Sequence, residues 1–95
     1  MASVVIYTTA HCGYCMVAKR LLDKKNVAYD EIRVDDRPDL RSWLVAESGQ
    51  QTVPQIFIHG ESIGGYNELA ELERDGELDR KLATPPEVDI PPLRS

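Results

Sequence analysis

Apolar and polar positions along the chain fall into short β-prone runs separated by stretches with helical spacing. Val4, Val5, Ile6 and Tyr7 form an unbroken apolar run of the kind a buried strand carries. A polar turn over residues 8–11 follows. From Cys15 the pattern becomes helical, with Val17, Ala18, Leu21 and Leu22 on one stripe and Lys19, Arg20, Asp23 and Lys24 on the other. The spacing predicts that this helix ends near Asn26. Residues 29–34 then read as a second strand, with Ile32 and Val34 facing one way. Asp36-Arg37-Pro38 is a helix-start signal, with Asp36 as the cap and Pro38 in the first turn. Leu40, Trp43, Leu44 and Glu47 keep helical spacing until Gly49 stops it. Residues 55–58 make a short apolar strand, His59-Gly60-Glu61 a tight turn, and Ser62-Ile63 the returning strand of a hairpin. Gly64-Gly65 opens a last helical region built on Leu69, Leu72, Leu78 and Leu82, with a break at Gly76.

The predicted order is βαβαββα. A strand–helix–strand crossover gives a right-handed parallel pair, and the hairpin that follows is antiparallel. Together they specify an α/β fold with a four-stranded mixed sheet flanked by helices, the thioredoxin-like arrangement. The 95 residues make one domain, expected to span residues 1–83. Residues 84–95 hold four of the six prolines and little apolar content, so they are expected to form an extended, flexible tail.

Charge narrows the choice of partner. The net charge of −5 argues against nucleic acid, which calls for a positive footprint. The opening residues lack a basic flank and carry only a four-residue apolar run, too short for a signal peptide or a membrane span. A cytoplasmic location without membrane attachment is therefore expected. Lys19, Arg20, Lys24 and Lys25 cluster early, and residues 68–79 are strongly acidic. These read either as two solvated helix faces or, for the basic cluster, as a source of positive potential near an anionic group.

Both cysteines lie in one tetrapeptide, Cys12-Gly13-Tyr14-Cys15. A disulfide here closes almost no loop, so it is a poor structural staple and chemistry is the better explanation. Cys12 follows a strand and stands at the start of a helix, where unpaired N–H groups and the positive end of the dipole favour a thiolate. Cys15 lies one turn further in and is more shielded. The geometry assigns attack to Cys12 and resolution to Cys15. A structural zinc site wants four ligands, and only His11 and His59 could add to the two thiols, so no metal site is expected. His11 and His59 read as solvated turn residues.

Two further elements accompany the thiols. Pro54, in Thr52-Val53-Pro54, is either an ordinary strand-entry proline or a cis-proline that frees the Val53 backbone to pair with an extended ligand. Gly64-Gly65 at a helix start lets a ligand approach the backbone and its N–H groups.

In this order and spacing, the three elements resemble the glutaredoxin family. The matching residues are Tyr7-Thr8, Cys12-Gly13-Tyr14-Cys15, Ala18-Lys19, Thr52-Val53-Pro54-Gln55-Ile56-Phe57-Ile58, and Ile63-Gly64-Gly65-Tyr66 with Leu69. The resemblance covers roughly residues 3–82. It implies a glutathione-dependent thiol–disulfide oxidoreductase, acting as a monomer on protein–glutathione mixed disulfides and protein disulfides. It also implies where glutathione lies: its sulfur at Cys12 beside Tyr14, its cysteine backbone along Thr52, Val53 and a cis Pro54, and its γ-glutamyl end at Gly65, Tyr66 and Asn67. Arg41 falls where the family often places a group reaching toward the glycyl carboxylate.

Three positions depart from the family pattern. Thr9 replaces a lysine that helps hold the glycyl carboxylate. Asn67 replaces an acid facing the γ-glutamyl ammonium, and Gly13 replaces a common proline. A small residue at Gly13 resembles members that form dimers bridged by a [2Fe–2S] cluster, with Cys12 of each chain and two glutathiones as ligands. Tyr-Thr-Thr before the cysteines resembles the mycoredoxins, which use mycothiol. A redox-inert adaptor is the remaining alternative.

Overall fold

The computed structural model describes residues 4–83, so the expected tail, residues 84–95, lies outside the described residues. The first apolar run forms β1 (Val4–Thr8), followed by α1 (Gly13–Lys24), β2 (Asp30–Arg33), α2 (Pro38–Ser48), β3 (Gln55–Ile58), β4 (Glu61–Gly64), α3 (Tyr66–Arg74) and α4 (Glu77–Ala83). The strands form one sheet in the order β2-β1-β3-β4. β1 pairs parallel with β2, setting Tyr7 opposite Ile32, and antiparallel with β3, setting Ile6 opposite Ile56. β3 and β4 form the expected antiparallel hairpin.

Because successive strand residues point to opposite faces, the sheet sorts its apolar residues into two cores. Val4, Ile6, Ile56 and Ile58 bury one face against Ala18 and Leu22 of α1, Leu69 of α3 and Leu78 of α4. Tyr7 and Phe57 bury the other against Val34 and Leu44 of α2. Each fully buried Leu or Ile contributes about 1.5–3 kcal/mol by leaving water. Helices thus cover both faces, as the βαβαββα order requires. Lys25, at the end of α1, bridges Glu73 of α3 at 2.9 Å and Asp79 of α4 at 2.8 Å. No helix of the described residues is long and apolar enough to cross a membrane.

Several boundaries differ from the sequence reading. Helix α1 starts at Gly13, two residues before the apolar stripe becomes helical, and Cys12 stands at its start as expected, its sulfur serving as the cap. The cap of α2 is Arg37, not Asp36, and its side chain makes no capping hydrogen bond, reaching instead to the Asp39 carboxylate. Pro38 removes one of the N–H groups a cap would serve, and Asp39 in the first turn complements the dipole. Gly49 ends α2 in the left-handed conformation, at φ 74°. His59 is half-buried rather than solvated, with its Nε2 out of contact with solvent. His59 at φ 54° and Gly60 at φ 82° give the two-residue turn the type I′ shape that matches strand twist.

Candidate active site

The chain leaves β1 at Thr8, turns through residues 9–11 with His11 at φ 57°, and reaches Cys12 in an extended conformation, φ −111° and ψ 106°. That conformation makes Cys12 the N-cap of α1, and its sulfur accepts the Cys15 N–H at 3.1 Å. A thiolate is a better acceptor than a thiol, so this bond and the positive end of the helix favour the ionised form. No acidic residue stands in the first turn of α1 to oppose it. Cys12 is half-buried, whereas Cys15 retains only 2% of its surface. The two form a disulfide, with Cα atoms 5.2 Å apart. One sulfur meets the outside and the other lies beneath it, the difference in shielding the sequence leads one to expect.

The Val53–Pro54 bond is cis, which settles the question the sequence leaves open. The Val53 carbonyl oxygen lies 3.8 Å from the Cys12 sulfur, so the Thr52-Val53-Pro54 segment runs beside the nucleophile. Beneath it, fully buried Gln55 donates from Nε2 to the Thr52 carbonyl at 2.7 Å and holds the segment's shape.

A groove of about 580 Å³ opens beside the cysteines, lined by Tyr14, residues 50–54 and residues 65–68. Tyr14 and Tyr66 stack, with centroids 6.1 Å apart and planes at 24°. The groove therefore gathers Tyr14, Thr52, Val53, Pro54, Gly65, Tyr66 and Asn67. Arg41 is not among its lining residues. Arg41 lines a neighbouring hollow with Ser42, Val45 and Gln51, and its guanidinium donates to the Gln51 carbonyl at 3.3 Å. Gln51 lines both cavities and joins Arg41 to the groove's end.

The sequence reading missed Gln50, Gln51 and Glu68. The Glu68 carboxylate accepts the Gly65 N–H at 2.8 Å, the glutamate half of a capping box. The three-residue spacing from Gly65 is the signal that would have found it. Gly65 lies so close to the facing strand that an added Cβ would meet the Pro54 carbonyl at 3.2 Å.

Two carboxylates organise the charges around the base of the site. Glu31 accepts from the buried Thr8 hydroxyl at 2.7 Å and from Lys19 at 2.9 Å. These hydrogen bonds, Thr8 first, hold its carboxyl below the usual range. Lys19 is thus paired across to β2 and Lys25 to α3 and α4, so the reading of their cluster as a free source of positive potential loses two of its four members. Asp35 accepts from the Arg33 guanidinium at 2.8 Å and from the Ala10 N–H at 2.7 Å. With Arg33 the larger cause, its carboxyl is held well below the ordinary carboxylate range. Among the described residues no group of three or more His, Cys, Asp or Glu is arranged to hold a metal ion.

A redox-active dithiol at the start of the first helix of a thioredoxin-like sheet, facing a cis-proline segment, defines a thiol–disulfide oxidoreductase. Comparison with known proteins narrows the class. The family model described as Glutaredoxin matches residues 4–63. The chain is 49% identical over 83 residues to a glutaredoxin of Pseudomonas aeruginosa, covering 87% of this chain and 99% of that one. It is 46% identical over 86 residues to glutaredoxin 1 of Rickettsia typhi, covering 88% and 83% respectively. Among solved structures it is similar to a buckwheat glutaredoxin–glutathione complex, with TM-score 0.78 and 36% identity over 83% of this chain and 74% of that one. It is likewise similar to the glutaredoxin of Brucella melitensis, with TM-score 0.78 and 43% identity over 86% and 89%. The chain belongs to the glutaredoxin family.

Proposed function

We propose that the protein is a glutathione-dependent oxidoreductase that reduces protein–glutathione mixed disulfides and protein disulfides, with Cys12 as nucleophile and Cys15 as resolving thiol. The observation that carries this reading is the position of the Cys12 sulfur. It is capped by the Cys15 N–H and lies 3.8 Å from the Val53 carbonyl, at the edge of a groove with room for a tripeptide. The glutathione complex of the buckwheat relative supports glutathione as the occupant.

In the first step the Cys12 thiolate attacks the glutathionyl sulfur of the mixed disulfide. A Cys12–glutathione disulfide forms, and the substrate sulfur leaves as thiolate and takes a proton from water. A second glutathione thiolate attacks the bound glutathionyl sulfur, which releases glutathione disulfide and restores the Cys12 thiolate. With a protein disulfide, Cys12 forms a mixed disulfide with one substrate sulfur. Cys15 then attacks Cys12, releasing the reduced substrate and leaving the Cys12–Cys15 disulfide. Two glutathiones reduce that bond and depart as glutathione disulfide.

Tyr14 and the Tyr66 ring stacked on it form one wall of the groove, and the residue 50–54 segment forms the other. The backbone of Val53 offers strand-like pairing to the ligand's cysteinyl unit. At the far end the start of α3, with Gly65, Tyr66 and Asn67, attracts the ligand's γ-glutamyl carboxylate. Arg41, held beside Gln51, is placed to draw the glycyl carboxylate to the rim. All the groove's walls come from one chain, so the reading calls on no second copy and takes the protein as a monomer. A cytoplasmic setting belongs to the same reading, since the glutathione pool there is reducing enough to recycle the site.

The test is glutathione-coupled reduction of a small glutathione mixed disulfide by wild type, Cys12→Ser and Cys15→Ser. Cys12→Ser falls to the uncatalysed background, while Cys15→Ser keeps its activity because that route needs one thiol. A wild type inactive with glutathione but active with mycothiol overturns the choice of co-substrate.

A further inference from the structure

Two residues before the nucleophile, the Ala10 N–H is bonded not to its own loop but to the Asp35 carboxylate, 2.7 Å away and just beyond β2. The other oxygen of Asp35 accepts from the Arg33 Nε at 2.8 Å, and the Arg33 Nη2 donates at 3.3 Å to the same oxygen that Ala10 uses. Between Ala10 and Cys12 stands His11 at φ 57°, a left-handed conformation that costs a non-glycine residue energy and persists only where its surroundings enforce it. On one side of His11 the chain is fixed by the Ala10–Asp35 bond. On the other it is fixed by the Cys12 cap on α1.

We propose that Asp35 is a positioning residue for the nucleophile. By clamping Ala10 it holds the turn over residues 9–11, and so keeps Cys12 in the extended conformation that puts its sulfur on the Cys15 N–H. Asp35 touches neither sulfur nor groove; it acts through the backbone of Ala10. Arg33 aims the carboxylate, since its fork fixes the plane in which the second oxygen meets the amide. The inference rests on Cys12 acting as a thiolate and is independent of which small thiol recycles it.

The sign of one measurement separates this role from a purely electrostatic one. A carboxylate near a thiolate disfavours it by like charge, so removing Asp35 as a mere charge lowers the Cys12 pKa. Removing it as a clamp loosens the cap and raises that pKa. The experiment is the pH profile of iodoacetamide alkylation of Cys12 in the reduced full chain, in a Cys15→Ser background where one thiol reports. Asp35→Ala raises the midpoint by about half a pH unit, the order expected when a helix-terminus interaction is weakened. Asp35→Asn keeps an oxygen for the Ala10 N–H once the exposed Arg33 turns aside, and it stays nearer to wild type than Asp35→Ala. Amide exchange gives a second reading in the same proteins: the Ala10 amide exchanges at least about tenfold faster in Asp35→Ala, while the Ile6 amide in the sheet is unchanged. A midpoint that falls or stays fixed in Asp35→Ala, with Ala10 exchange unaltered, overturns the proposal. Because alkylation needs no glutathione, failure of the co-substrate assignment leaves this test intact.

Discussion

Gly64 sits at φ 106° under the Glu68 side chain, where an added Cβ would come within 2.8 Å of the Glu68 Cγ. Gly64→Ala therefore forces Glu68 aside, exposes the Gly65 N–H and strains the backbone. We expect a loss of about 1–2 kcal/mol in urea denaturation, from the left-handed penalty and the weakened cap. A midpoint equal to wild type would count against the contact. Glu31 gives a pH-dependent counterpart. Its folded carboxyl is held below the ordinary value by Thr8 and Lys19, so its contribution is present above about pH 4.3, the ordinary glutamate value, and is lost as pH falls through the folded value. Glu31→Gln should thus be less stable than wild type at neutral pH, and the gap should close on acidification below about pH 4. A gap constant down to acid unfolding would refute this. The two cysteines and the segments around Val53 and Gly65 were legible from residue type and spacing, and Tyr14, Tyr66 and Asn67 from the family resemblance. Asp35 was not, because its partner, the Ala10 amide, lies 25 residues away along the chain and leaves no local pattern.

At the scale of elements, the apolar pattern specified the strand and helix order: helices bury one stripe, while β1 and β3 are buried on both faces and read as unbroken apolar runs. It failed at starts and caps, where single hydrogen bonds decide. Helix α1 begins two residues earlier than periodicity predicts because a sulfur serves as its cap, and sequence rules look for oxygen there. For the β3–β4 hairpin the pattern placed the turn but read it as three residues; His59-Gly60 alone fill both left-handed positions of a type I′ turn, and Glu61 already pairs with Ile58. An added Cβ at Gly60 meets nothing within 4 Å, so Gly60→Ala isolates the backbone term and should cost about 1–2 kcal/mol. Thermal melts of the variant check this, and activity should survive, since the turn lies at the end of β3 away from Pro54.

Across the whole molecule, the groove exists only when three distant stretches of chain meet: Tyr14 from α1, residues 50–54 before β3, and residues 65–68 at the start of α3. The core that brings them together is shared, so Leu22→Ala, which truncates a fully buried residue of that core, should cost about 2–5 kcal/mol and lower the melting temperature. The Lys25 clasp on Glu73 and Asp79 ties α1 to the paired helices behind it. Lys25→Met should therefore melt earlier at low salt, with the difference shrinking at about 1 M salt, where screening shortens to about 3 Å. Such long-range ties are invisible to a reading that sees the early basic and late acidic runs separately. The pairing of Lys25 with Glu73 and Asp79, and of Lys19 with Glu31, appears only once the fold is closed.

The near-complete burial of Cys15, one helical turn below Cys12, also sets a clock. On the proposed mechanism, a partner captured on Cys12 of the reduced protein meets the Cys15 thiol at an effective concentration that bulk thiols do not reach. On that reading Cys15 sets the lifetime of a captured protein, and the surrounding thiol pool sets only how soon the Cys12–Cys15 disulfide returns to the dithiol. On the same reading a partner that fits slowly or wrongly is let go before it becomes a lasting cross-link.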